Sequence, residues 1–144
     1  METKKNYVKG ILFALIALMV VGMESCSKET VDSAGRDVAQ NIIRTGTWKR
    51  QTKTVSTEGA TEGVTTEILK EGESINFDKD NKAWTKHVDG TGTSVPYNMP
   101  TSRKMTFNGM DYDIKENIVG AISTLTLVNK TGPITTTIVF KRNW

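Results

Sequence analysis

From Trp48 to the end of the chain, apolar and polar residues alternate with the period of two that sets one face of a strand against a core and the other in water. Threonine, valine, isoleucine and aromatic residues dominate this region, and turn clusters interrupt them at short intervals. The pattern predicts strands over residues 47–55, 64–70, 73–77, 82–88, 93–98, 103–107, 110–118, 121–128 and 134–142. No helical spacing intervenes, so the strands belong to an antiparallel sandwich or barrel of the all-β class. The sharpest local signal is Met105-Thr106-Phe107-Asn108-Gly109-Met110-Asp111-Tyr112, because Asn-Gly supplies both positive φ angles of a two-residue type I′ hairpin. Around that turn Met105, Phe107, Tyr112 and Ile114 mark the dry face, while Lys104, Thr106, Asp111, Asp113 and Lys115 mark the wet one. Ile134, Thr136, Ile138 and Phe140 share a face of the last strand. Asp78-Lys79-Asp80-Asn81 and Asp89-Gly90-Thr91-Gly92 predict two further turns. Pro96 and Pro100 cannot donate to a ladder, which predicts an edge, a bulge or a loop over an opening.

Upstream the pattern changes twice. Val31, Ala34, Val38 and Ile42 recur at helical spacing, with Asp32 or Ser33 as N-cap and Gly46 as stop. This predicts a tether and one short helix, which either plugs an end of a barrel or lies outside it. At the start of the chain Lys4, Lys5 and Lys9 precede an uncharged apolar run from Ile11 to Met23 that closes on Ser25-Cys26-Ser27. A basic segment, a short apolar core and small residues at a cut define a secretory signal. As a helix the run spans about 20 Å, against about 30 Å of hydrocarbon, so it is too short to cross a bilayer. Three segments follow: a signal peptide at 1–25, a tether with a short helix at 26–45, and a β-domain at 46–144. Removing the signal leaves about 120 residues, enough for one core.

The end of the apolar run resembles bacterial lipoprotein signals, in which a diacylglycerol is joined to the cysteine by a thioether and the new N-terminus is acylated by a fatty acid such as palmitate. Cys26 is the only cysteine in the chain, so a thiol reserved for lipid leaves no disulfide partner unused. Met23 and Glu24 depart from the leucine and small or apolar residue usual there. The resemblance implies cleavage before Cys26, a lipid anchor on it, and residence in the cell envelope at the outer membrane, on its periplasmic or its surface face. Lys28-Glu29 partly resembles the surface-export signals of Bacteroidota lipoproteins, and Asp32-Ser33-Ala34 resembles their O-glycosylation acceptor. A Gly46-Thr47-Trp48 start, a short helix before it and a meander of hairpins after it resemble the lipocalin-like domains common among those lipoproteins. That implies a small antiparallel up-and-down barrel of about eight strands. In lipocalins the tryptophan of G-x-W closes one end beneath a basic residue from the end of the domain. Trp48 matches the first and Arg142 the second, whereas the long C-terminal helix has no counterpart.

Charge and chemistry narrow the functions. The formal net charge is +3, and the lysines and arginines are dispersed among acids, which is no nucleic-acid groove. His87 is the only histidine, so a histidine-rich metal site is excluded, and on a face with Ala83 and Thr85 it reads as a polar surface residue rather than a general base. No G-x-S-x-G elbow or phosphate loop is present, and Cys26 is blocked once acylated. The pairs Glu71 and Glu73, Asp78 and Asp80, and Asp111 and Asp113 suit a solvated face or a weak calcium loop. The sequence therefore reads as no enzyme and calls for no cofactor. Two classes remain. One is a noncovalent binding module for a small apolar or glycan ligand, lined by Trp84, Tyr97, Met99, Met105, Phe107 and Tyr112. Trp84 and Tyr97 are its preferred contacts, Tyr97 because it adjoins Pro96 in a segment expected to border an opening. The other is a structural or accessory envelope lipoprotein that acts through protein contacts.

Overall fold

A computed structural model describes the backbone of residues 28–144 and the side chains from Asp32 onward. The signal peptide and Cys26 lie outside the described residues. By its contacts the chain divides into two units, Met1–Val31 and Asp32–Trp144, and the fold is that of the second. Helix α1 spans Lys28–Arg44. Nine strands follow: β1 Arg50–Thr57, β2 Val64–Glu67, β3 Ser74–Phe77, β4 Lys82–Lys86, β5 Gly92–Thr101, β6 Lys104–Phe107, β7 Met110–Ile114, β8 Thr124–Thr131 and β9 Ile134–Lys141.

The helix starts upstream of Asp32 and Ser33, so neither is its cap, and the half-buried Ser33 of the glycosylation-like motif sits within it. It ends where Thr45 turns both its N–H and its hydroxyl onto the Asn41 carbonyl, at 3.0 and 2.7 Å. Gly46 follows at φ 75°, a conformation that glycine adopts without strain. Ala39 and Ile43 are fully buried and Ile42 packs beside them, whereas Val38 is half exposed. The apolar stripe therefore lies one position later than the spacing suggested. The helix belongs to the core rather than lying outside it.

All strand pairs are antiparallel, in the order β2-β1-β9-β8-β7-β6-β5-β4-β3. The sheet is not closed into a barrel, which corrects the expected architecture. The cause lies at β1, where β2 occupies the free edge over Thr52 to Val55. β3 reaches this side only two residues ahead of β1, through an isolated bridge in which Trp48 and Ile75 exchange backbone hydrogen bonds of 2.9 and 2.8 Å. The prolines are placed differently as well. β5 is an interior strand, pairing with β4 from Gly92 to Pro96 and with β6 from Tyr97 to Thr101. Pro96 thus sits where the partner changes, and Pro100 in a register shift, so neither leaves a ladder bond unmade.

β7 and β2 fall furthest short of their sequence pattern, ending at Ile114 and Glu67 rather than at residues 118 and 70. β7 stops at Ile114 because the Glu116 carboxylate, in place of a backbone carbonyl, accepts the N–H and hydroxyl of Thr126, both at 2.7 Å. β2 stops at Glu67 because Ile68 and Leu69 both donate to the Gln51 carbonyl, which turns Leu69 into the core. The Asn108-Gly109 turn is as expected, with φ 49° and 81°.

One apolar cluster unites the helix with the inner faces of the strands. Phe77, Phe107 and Phe140 form its centre, with ring centroids 5.5 to 6.2 Å apart and mostly edge-on. At the helix end Trp48 is fully buried, donates from Nε1 to the Ile43 carbonyl at 3.0 Å and lies 6.3 Å from Phe140. The Arg142 guanidinium rests 4.0 Å from its ring centroid and donates to the carbonyls of Ile42 and Ile122, both at 2.8 Å. Arg142 and Trp48, named as a pair from the sequence, are in contact.

Gly109 has open space where a side chain would begin, so a substitution there acts through backbone strain alone. Gly109→Val is expected to lower the urea midpoint by the equivalent of about 1–2 kcal/mol, with an unchanged denaturant slope. An unshifted midpoint contradicts the turn.

Candidate functional site

The outer face of β3, β4 and the first half of β5 carries the most exposed of the sequence-selected residues. Along β4 the side chains alternate, so Ala83 is fully buried and Trp84 is 44% exposed. Register sets Asn76 of β3 and Ser94 of β5 on either side of Trp84. The turn between β3 and β4 fixes the indole. Asp78 Oδ1 accepts the N–H groups of Asp80 and Lys82 at 2.9 and 2.8 Å, and Oδ2 accepts Trp84 Nε1 at 2.8 Å. Lys82 Nζ stands 5.8 Å from the ring centroid. Beside the ring runs an open groove of about 510 Å³, lined among others by Thr47, Ser74, Asn76, Lys86 and Thr91. Gly92 forms part of its wall, and a Cβ there would lie 4.0 Å from Trp84.

An oriented aromatic face ringed by hydroxyl, amide and ammonium groups is suited to noncovalent recognition of a ligand with one apolar face and a polar rim. Partial burial pushes the Asp78 carboxyl up, but the N–H groups of Lys82, Trp84 and Asp80 outweigh it and hold the group below its ordinary value. The Glu73 carboxyl is held down by the Lys70 N–H and then by His87. That of Asp89 is held down by the Thr91 hydroxyl and N–H.

Tyr97 is placed otherwise than expected. It is 2% exposed, its ring 4.9 Å from Phe77 and edge-on. Its hydroxyl donates to the Asp78 carbonyl at 2.6 Å and accepts from Arg44 Nε at 2.7 Å. Burial raises the phenol pKa. The segment after Pro96 is a corner where β5 changes partner rather than a rim, and this corner turns Tyr97 inward. Trp84 and Tyr97 therefore lie on opposite faces and form no joint site, although Asp78 touches both, one through its carboxylate and the other through its carbonyl. Met99, Met105, Phe107 and Tyr112 are likewise buried.

His87 is half-buried and bonded on both sides, with Nδ1 2.9 Å from Glu73 Oε1 and Nε2 3.0 Å from Thr93 Oγ1. It is thus more than a plain surface side chain. The acid, imidazole and hydroxyl tie the start of β3 to the β4–β5 hairpin. Among the described residues no three His, Cys, Asp or Glu side chains are grouped to hold a metal ion, and no helix is long and apolar enough to cross a membrane. Sequence reasoning missed Asp78 and Asn76 as partners of Trp84. The available signal was an aspartate opening a hairpin turn six residues before an outward tryptophan. The chain matches no family model, no curated protein and no solved structure.

Because the Asp78, Glu73 and Asp89 carboxyls titrate below their ordinary values when folded, their contribution to stability is complete above the ordinary carboxylate range and is lost as pH falls through the lower folded values. Asp78→Asn is expected to flatten the acid limb of Tm against pH and to shift tryptophan emission at neutral pH. Superimposable profiles for variant and wild type rule out this role for Asp78.

Proposed function

We propose that this chain is an exported lipoprotein, anchored in the outer membrane by acyl groups on Cys26, whose β-domain is a noncovalent binding module for a glycan at the Trp84 groove. The observation that carries the binding reading is the exposed indole held in one orientation by Asp78 beside hydroxyl and amide side chains. A sugar ring offers an apolar face for stacking and equatorial hydroxyls for those polar neighbours. A fixed ring loses little conformational freedom on binding. An apolar ligand in the middle of the sheet is disfavoured, since Phe77, Phe107, Phe140 and Tyr97 already pack there. The module binds without turnover, on this reading, and needs no cofactor.

The basic segment, the apolar run and Cys26 support the anchor. Several acyl chains, each contributing about 0.8 kcal/mol per buried methylene, hold a protein stably where one chain is marginal. The contact between Arg142 and Trp48 supports kinship with lipocalin-like domains, the sheet here being curled around its core with an open ladder. A second reading, an accessory envelope lipoprotein acting through protein contacts, is favoured by β2. All four residues of that edge strand are exposed, and Val64 is 74% exposed. An uncovered edge is a template for another chain.

Cys26→Ala is expected to move the protein from the membrane to the soluble fraction and to abolish incorporation of labelled fatty acid. Retention of both eliminates the anchor. In a thermal-shift screen against neutral and acidic oligosaccharides, Trp84→Ala is expected to weaken the binding of any hit by about tenfold, near the worth of one aromatic stacking contact, each shift being read against the variant's own ligand-free Tm. Hits indifferent to Trp84→Ala refute the groove. A screen without hits, together with a protein captured through β2, favours the accessory reading.

A further inference from the structure

The two terminal strands of the sheet differ in how much of their edge is open. β3 has Ile75 bonded in both directions by Trp48, whereas β2 has no neighbour beyond β1 among the described residues and is exposed at all four positions. The phase of the β1–β2 ladder fixes which groups β2 turns outward. Ile68 donates its N–H to the Gln51 carbonyl, and these two residues continue the register of Thr52 with Glu67. Bonded and non-bonded pairs alternate in an antiparallel ladder. Val64 and Thr66 therefore bond to β1 as well, and the N–H and C=O groups of Thr65 and Glu67 point away from it. Side chains alternate in the same way. Thr65 and Glu67 stand on the outer face, bonded to Thr54 and Arg50. Val64 and Thr66 share the inner face with Val55 and Lys53, and Ile68 is next in that row.

This edge is complementary to itself when turned about Thr66. A second copy laid antiparallel, with Thr66 opposite Thr66, sets Thr65 opposite Glu67, Val64 opposite Ile68, and Glu62 opposite Lys70. The outward residues then meet as hydrogen-bonded pairs, which gives four backbone bonds about a two-fold axis. Val64 and Ile68, 74% and 43% exposed in the single chain, cover each other, and unlike charges flank both ends. Turning about Glu67 instead sets two carboxylates face to face, and turning about Thr65 sets Ile68 against Glu62. The Glu67 charge is already paired with Arg50, so the chosen register buries no unpaired ion. No lysine or proline blunts the strand.

We propose that β2 is the interface of a symmetric dimer of this chain, joined edge to edge with Thr66 on the two-fold axis. One sheet then runs through both copies. Four backbone bonds and two small apolar contacts make this a weak, reversible association. The same uncovered edge underlies the accessory reading; its partner is here a second copy, and the Trp84 groove takes no part.

The test is disulfide trapping in the full chain bearing Cys26→Ser, so that each variant carries a single thiol. Residues opposed across the axis lie about 4.5–5.5 Å apart at Cα, within disulfide reach, whereas Thr65 lies about 8 Å from Thr65 of the second copy. In a glutathione redox buffer Thr66→Cys is expected to form a covalent dimer. Thr65→Cys and Glu67→Cys are each expected to stay monomeric alone and to cross-link to one another when mixed. Adding Val64→Lys to Thr66→Cys is expected to raise the concentration for half cross-linking by about tenfold, two cross-strand contacts being lost at once. Adding Ile68→Glu as well is expected to restore it, because unlike charges then face each other across the axis. Should Ile68→Glu fail to fold, the contrast between Thr66→Cys and Thr65→Cys decides alone. Absence of a Thr66→Cys dimer, indifference to Val64→Lys, or equal cross-linking of Thr66→Cys and Thr65→Cys, as association through the apolar run from Ile11 to Met23 gives, overturns the proposal. A chain that stays monomeric while another protein pairs with β2 also overturns it and leaves the accessory reading in place.

Discussion

The fold depends on one buried tryptophan. Trp48 is where the helix, the start of β1, the edge strand β3 and the end of β9 converge. Its indole N–H satisfies a terminal carbonyl of α1, its backbone makes the single bridge to β3, and its ring carries the Arg142 guanidinium. The first contact is local, but the other two join elements far apart in the chain, and Arg142 reaches Ile42 across a hundred positions. Helix carbonyls left without intrahelical partners need donors when buried, and here Trp48 and Arg142 provide them. Burial lowers the Arg142 pKa, yet the hydrogen bonds to two carbonyls and the aromatic face compensate the cation for lost water.

With one end held in this way, the interior divides into a filled part and a hollow part. Aromatic rings and the Ala39 and Ile43 side chains pack the part near the helix, and there the sheet has no room for a ligand. Toward the Asn108-Gly109 turn the inner row of β1 becomes polar and the packing opens into a cavity. An open ladder suits this division. β2, paired with β1 as far as Thr52, leaves the sheet at Gln51, whose carbonyl takes two N–H groups at once.

The outer and inner faces are not independent near Asp78. Its carboxylate shapes the β3–β4 turn and orients Trp84 on the outside, while its carbonyl receives the Tyr97 hydroxyl on the inside. Arg44 at the end of α1 completes the chain by donating to Tyr97 and to Asn81 of the same turn. The turn beneath the exposed indole is thus braced by the core and the helix, which gives a surface aromatic ring an unusually rigid mounting.

The alternation of residues, the Asn-Gly turn and the glycine after the helix determined, without tertiary context, that this is an antiparallel β-protein with one helix ahead of nine strands, because these signals are local. Pairing Trp48 with Arg142 was legible as well, through a resemblance rather than through spacing. Strand order at the two ends, the inward turn of Tyr97 and the polar row of β1 were decided only by the tertiary structure. The physical reason in the last case is a slip of phase. Trp48 and Gln51 are both buried although three residues apart, so alternation counted from Trp48 puts Arg50, Thr52 and Thr54 inside. In the folded chain Arg50 pairs with Glu67, and Thr54 with Thr65, on the other face. Period-two reasoning carries one residue's orientation along a strand, and the bridge to β3 resets that orientation at a point the sequence does not mark.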